Sequence, residues 1–157
     1  MRFLFVDRIL DMVPGKSIKA EHTFAGGEDF FQDHFPGFPV VPGVLLTEMM
    51  GQTAAKCLDA ESRAKERGKA MLAQIRSASF RDWVRPDENA IIKAEIKSSQ
   101  SKFATAVCSV EVRGRRVCSA EILFSFLSLE NFAPGYHDEV LEAFLSARER
   151  GKEQGNG

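Results

Sequence analysis

The stretch His34-Phe35-Pro36-Gly37-Phe38-Pro39-Val40-Val41-Pro42-Gly43-Val44-Leu45-Leu46-Thr47-Glu48-Met49-Met50-Gly51-Gln52 changes character at its middle. Pro36, Pro39 and Pro42 recur every third residue. Each fixes its own φ and biases the residue before it toward extended backbone, so Phe35–Pro42 reads as a stiff, non-helical loop. Gly43–Leu58 then holds no proline and few β-branched residues. Apolar side chains occupy nearly every face of its first turns, the mark of a buried helix. Polar residues take over at Asp59–Lys69, so the helix is expected to emerge into solvent and stop near Gly68.

Outward from this helix the chain reads mostly as strand. Upstream, Phe3–Val13 is largely apolar and runs into the turn signal Pro14-Gly15, Ser17–Phe24 alternates loosely, and Glu28–His34 suits a short helical turn. Downstream, Ala70–Phe80, Ala90–Ser98, Phe103–Arg113 and Arg116–Ser128 are β-rich runs, with Gly114-Arg115 as a hairpin signal. Val140, Leu141, Phe144 and Leu145 sit at helical spacing near the end, and Gly151–Gly157 reads as a disordered tail. The plan is α+β: an antiparallel sheet of two strands plus four, wrapped around one long central helix. Residues 1–130 form the main domain; 131–157 form a C-terminal extension with a short amphipathic helix.

Composition narrows the function. The 157 residues are 44% hydrophobic and 27% charged, an ordinary globular mixture of single-domain length. A formal charge of −1 argues against a dedicated nucleic-acid binder. No apolar run approaches a membrane span, and Asp7 comes too early for a secretory leader. Cys57, Cys108 and Cys118 lack metal or disulfide spacing and read as reduced thiols of a cytoplasmic protein. No phosphate-cradling glycine motif occurs, so no cofactor is expected, and the scattered His22, His34 and His137 suggest no metal. Thirteen Phe stand against one Trp and one Tyr. Aromatics without polar handles suit either a dry core or an apolar tunnel.

Three features carry chemistry. The stiff loop can hold the His34 imidazole in one orientation, as a general base requires. Gly43 opens the helix, whose first N–H groups lack internal partners and can polarise a carbonyl oxygen. Glu48 lies about one turn inside among Leu45, Leu46, Met49 and Met50, surroundings that disfavour a charged carboxylate and suit a proton donor. Gln52, four residues on, shares its face and can orient it. A base, a carbonyl-polarising helix end and an acid suit β-elimination of water from a 3-hydroxyacyl thioester, without a cofactor. Phe31, Phe35 and Phe38 surround His34 in the sequence and are expected to line an acyl tunnel.

The quoted stretch closely resembles the signature HFPGxPxxPGVLxxExxxQ of FabZ-type 3-hydroxyacyl-[acyl-carrier-protein] dehydratases, with its separation of fourteen residues between His34 and Glu48. Phe3–Leu10, Phe30-Phe31-Gln32 and Val117–Glu121 extend the resemblance over roughly residues 3–128; the C-terminal helix lies beyond it. The resemblance implies a hot-dog fold, dimers joined through their sheets, and often trimers of dimers. It implies active sites at the dimer interface, with His34 from one chain near Glu48 from the other. By carry-over His34 is the base, Glu48 the acid and the Gly43 N–H the carbonyl donor. The substrate partner implied is acyl carrier protein, which is acidic. Seven basic residues against two acidic ones in 62–85 (Arg63, Lys65, Arg67, Lys69, Arg76, Arg81 and Arg85) offer a docking surface for it. The alternatives are a hot-dog acyl thioesterase, which needs an activated water, or a non-catalytic acyl-binding or assembly subunit.

Overall fold

The computed structural model describes residues 1–128, 130 and 133–155. Six strands, β1 (Arg8–Val13), β2 (Ser17–Thr23), β3 (Lys69–Phe80), β4 (Asn89–Ser99), β5 (Phe103–Val112) and β6 (Arg115–Leu127), form one antiparallel sheet. Their order is β1-β2-β4-β5-β6-β3, so β1 and β3 are its edges. Helix α1 (Gly43–Lys65) intervenes between β2 and β3 and packs against β2 through β6. This is the expected sheet around a central helix.

Alternation explains the packing. Strands β4, β5 and β6 turn Ala94, Ala104, Ala106, Cys108 and Ala120 toward the core, and all are buried. Such small side chains leave room for α1, which fills the space with Leu46, Met49, Met50 and Leu58. Thr53, also buried on α1, satisfies its hydroxyl by donating to the Met49 carbonyl at 2.8 Å.

The end of α1 shows how the chain is steered into β3. Glu66 adopts a left-handed conformation at φ 53°, and its N–H donates to the Ser62 carbonyl at 2.7 Å. Two residues later Gly68 has φ +97°, and a Cβ there would lie 2.2 Å from the Leu127 carbonyl oxygen. Only glycine lets the backbone pass so close to the end of β6.

The structure corrects three boundaries. Strand β1 begins at Arg8, not Phe3; Phe5 and Val6 are buried and the Phe5 N–H donates to the Gln52 side chain, so this segment crosses α1 instead of pairing in the sheet. The last hairpin turns at Arg113-Gly114, both at positive φ (56° and 74°), the primed turn that matches strand twist; Arg115 already belongs to β6. Helix α2 (Glu139–Gly155) has 17 residues and continues through Gly151, so Gly151–Gly155 is helical and not disordered. Good helix formers such as Arg148, Glu149, Lys152 and Glu153 outweigh one glycine. Asn156 and Gly157, the rest of the expected tail, lie outside the described residues. Leu141 anchors α2 in the main core, and the Arg148 guanidinium donates to the Met12 carbonyl on β1 at 3.1 Å.

Candidate active site

The loop before α1 is closed by its own backbone. Phe35 and Phe38 exchange N–H to carbonyl bonds at 3.0 and 2.8 Å, and the Val40 N–H donates to the His34 carbonyl at 2.9 Å. The His34 ring is held from two sides. Its Nδ1 lies 2.9 Å from the Val40 carbonyl oxygen, and the Phe35 ring stacks on it with centroids 4.1 Å apart. A carbonyl can only accept, so Nδ1 carries the hydrogen and donates. In the neutral ring the Nε2 lone pair is then left for a proton.

On α1, Glu48 is half-buried and Gln52 is its clamp. The Gln52 Oε1 accepts from the Phe5 N–H at 2.8 Å, which fixes the amide the right way round. Its Nε2 therefore donates to Glu48 Oε1 at 3.1 Å and to the Phe3 carbonyl at 3.4 Å. One carboxylate oxygen is held and the other is left for chemistry. Gly43 is the first residue of α1, where the N–H has no intrahelical acceptor. The Phe80 ring packs so close that a Cβ on Gly43 would sit 3.1 Å from it, so the glycine brings the helix N-terminus up to the wall of β3.

Gly43, Glu48 and Gln52 line one cavity of about 810 Å³ between α1 and β3. Its apolar wall comes from Val44, Leu72, Ile75, Ala78, Phe80 and Phe124. The β3 contribution depends on two register shifts against β6, between Leu72 and Gln74 and between Ile75 and Ser77. Each inserts one residue and flips which side chains face inward. Ala70 and Leu72, then Ile75, then Ala78 and Phe80 therefore share one face, although their numbers do not keep an even spacing.

His34 does not line this cavity within the same chain. Phe31 is a core residue, 6% exposed and packed on Phe30, and it does not line this cavity. Its side chain points inward from the short 3-10 turn Asp29–Gln32. Phe35 and Phe38 are about half exposed and also lie outside the cavity; Phe38 meets Trp83 edge-on at 5.9 Å. The expected basic surface is largely neutralised. Lys65 and Arg67 pair with Glu61, Lys69 with Asp59, Arg63 with Glu142 and Arg76 with Glu121. Although burial pushes it up, Glu61 is held below the usual carboxylate range by Lys65 and Arg67. Arg81 and Arg85 make no ion pair among the described residues, and they flank Trp83 beside the His34 loop.

Sequence reasoning missed the other end of the cavity. Lys56 and Asp138, each 7% exposed, form an ion pair at 2.6 Å there, and Lys69 and Tyr136 stand beside them. The helical spacing of Lys56 to Glu48 and Gln52 was the only available hint.

A family model described as a FabA-like domain matches residues 1–121. The chain belongs to the FabA-like family. Within this family it is 38% identical over 121 residues to a 3-hydroxyacyl-[acyl-carrier-protein] dehydratase FabZ of Levilactobacillus brevis, covering 77% of this chain and 81% of that one. The FabZ of Caldicellulosiruptor saccharolyticus is 38% identical over 124 residues, 78% and 87% of the two chains. That of Listeria welshimeri is 35% identical over 127 residues, 81% and 88%. The FabA-like fold is also that of the dehydratase heterocomplex ApeI:P of Xenorhabdus doucetiae (TM-score 0.58, 16% identity, 80% and 99% of the two chains). A hypothetical thioesterase of Streptococcus pneumoniae bound to coenzyme A shares it at 0.61 and 13%, with 77% and 88% covered. At those identities the likeness is one of hot-dog architecture alone.

Proposed function

We propose that this FabZ-type hydro-lyase dehydrates (3R)-3-hydroxyacyl thioesters on acyl carrier protein to trans-2-enoyl thioesters in fatty-acid biosynthesis, at sites shared by two chains. The observation that carries this reading is the His34 Nδ1 bond to the Val40 carbonyl, which presents Nε2 as a base. His34 Nε2 removes the proton alpha to the thioester carbonyl. The carbonyl oxygen, gaining negative charge, is met by the Gly43 N–H and the helix N-terminus. Glu48, oriented by Gln52, protonates the departing 3-hydroxyl, which leaves as water. His34 and Glu48 then exchange protons with solvent for the next turnover.

Two features support the shared site. Edge strand β3 has twelve residues, and its Leu72, Ile75 and Phe80 are about half exposed. An unpaired apolar edge of that length is suited to a second copy. The half-exposed Phe35 and Phe38 beside His34 then gain a role at a partner's cavity, with a dimer or trimer of dimers as the assembly. Arg81 and Arg85 beside Trp83 are the docking positions for the acidic carrier protein. We place the enzyme in the cytoplasm, where its three buried free cysteines remain reduced. Among the described residues no helix is long and apolar enough to cross a membrane.

Purified protein is assayed with 3-hydroxyacyl and trans-2-enoyl carrier-protein substrates beside His34→Ala and Glu48→Gln. Hydration and dehydration in the wild type, lost in both variants, support the reading. Thiol release in the wild type points to a thioesterase, and binding without turnover to an acyl-binding subunit.

A further inference from the structure

The cavity that holds Glu48 runs along α1 and β3. The Gly43 end is marked by Phe80, which packs on Gly43. The other end is marked by Lys56 on α1 and by Lys69 at the start of β3. Between these ends the lining is apolar apart from Thr47, Glu48 and Gln52 on α1. At the far end it becomes ionic: Lys56 Nζ lies 2.6 Å from Asp138 Oδ2, and Lys69 Nζ lies 2.6 Å from Asp59 Oδ2. Asp138 is further fixed by accepting the Leu141 N–H at 3.0 Å, at the start of α2.

A second cavity of about 550 Å³ lies beyond, and Lys69, Tyr136 and Asp138 line both cavities. These residues are therefore the wall between them. Tyr136 and Asp138 come from the segment after β6, outside residues 1–121 matched by the family model. Although burial pushes it up, Asp138 is held below the usual carboxylate range by Lys56, the Leu141 N–H and Lys69. The wall is thus a paired, charge-balanced plug and not an open receptor for a charged chain end. A substrate carboxylate that took Lys56 would strand Asp138 as an unpaired buried charge, a strongly destabilising exchange.

We propose that the Lys56–Asp138 pair, with Tyr136, is the acyl-chain stop of this enzyme, supplied in part by its own C-terminal segment. This rests on the dehydratase reading and adds a substrate class to it: chains of short to medium length. Lys56 is eight residues from Glu48, about 12 Å along the helix. At roughly 1.3 Å of advance per extended C–C bond, about nine carbons fit between the reacting centre and the plug. A longer chain meets buried charges that apolar groups cannot satisfy.

The test is the ratio of kcat/KM for 3-hydroxyhexadecanoyl over 3-hydroxyoctanoyl carrier protein. The wild type is expected to favour the octanoyl substrate by about tenfold or more. Lys56→Met combined with Asp138→Asn removes both charges while keeping a cap for α2. Tyr136→Ala opens the same wall and leaves the ion pair in place, so the test does not hang on one fold-sensitive variant. Both are expected to raise the ratio about tenfold, with native-like melting. A wild type that accepts the two lengths equally, or ratios unmoved within about twofold in both variants, overturns the stop while leaving the dehydratase reading intact. Failure of the wild type to turn over either substrate overturns the dehydratase reading, and the inference with it.

Discussion

Gln52 has two duties, and one substitution separates them. In Gln52→Leu the shape is nearly kept but all three side-chain hydrogen bonds, with the Phe5 N–H, Glu48 and the Phe3 carbonyl, are lost. The Phe5 N–H, on a residue only 1% exposed, loses its acceptor. A buried donor left without a partner costs about 1–3 kcal/mol. Taking about 2 kcal/mol and a chain of this size, the melting temperature is expected to fall by roughly 4–8 °C at fixed protein concentration. Glu48 loses the amide that fixes Oε1, and misplacing an acid by about 1 Å lowers kcat roughly a hundredfold. KM should move little, because Gln52 touches the acid and not the carrier protein. Gln52→Glu restores an acceptor for Phe5 but sets a carboxylate against Glu48, so stability returns further than kcat does. Calorimetric melting and steady-state kinetics on the same preparations read both quantities. A Gln52→Leu enzyme that melts like the wild type, or that keeps full kcat, refutes the clamp.

Other substitutions probe the frame. Gly68→Ala forces a Cβ against the Leu127 carbonyl and a poor φ, so a loss of about 3 kcal/mol or more is expected by chemical denaturation. Burial pushes the thiols of Cys57 up to about 11 and of Cys108 and Cys118 up to about 12. A thiol reagent at neutral pH should therefore label none of the three in the native protein and all of them in denaturant. Asp138 titrates lower when folded than when unfolded, so its contribution is full above the ordinary carboxylate pKa of about 3.9 and fades as pH falls through the folded value. Asp138→Asn, which strands the buried Lys56, should cost about 3 kcal/mol near neutrality, with the gap to wild type narrowing below about pH 4 in urea melts.

The sequence carried the architecture because its signals were local. Prolines every third residue, an uninterrupted apolar run after Gly43 and four β-rich runs each constrain their own backbone. Glu48 and Gln52 were legible for the same reason, since four residues on a helix share a face. What was illegible depended on partners distant in sequence. Phe31 lies close to His34 in the chain, yet the short turn at Asp29–Gln32 aims it into the core. The inward face of β3 was hidden because two bulges break the even spacing that marks a strand. The basic run of 62–85 looked free because its partners Asp59, Glu61, Glu121 and Glu142 lie outside it. Lys56 drew no reading from the sequence because its partner, Asp138, lies 82 residues away.

The central claim is a dehydratase site completed by His34 from a second chain, and subunit complementation tests it most directly. His34→Ala and Glu48→Gln chains, each inactive alone, are unfolded together and refolded at equal amounts. A random mixture of dimers then contains pairs in which one site has both substitutions and the other has neither. Dehydration of 3-hydroxyacyl carrier protein should return to about a quarter of the wild-type rate per chain. A mixture as inactive as its parents, with mixed dimers demonstrated by mass spectrometry, would contradict the account.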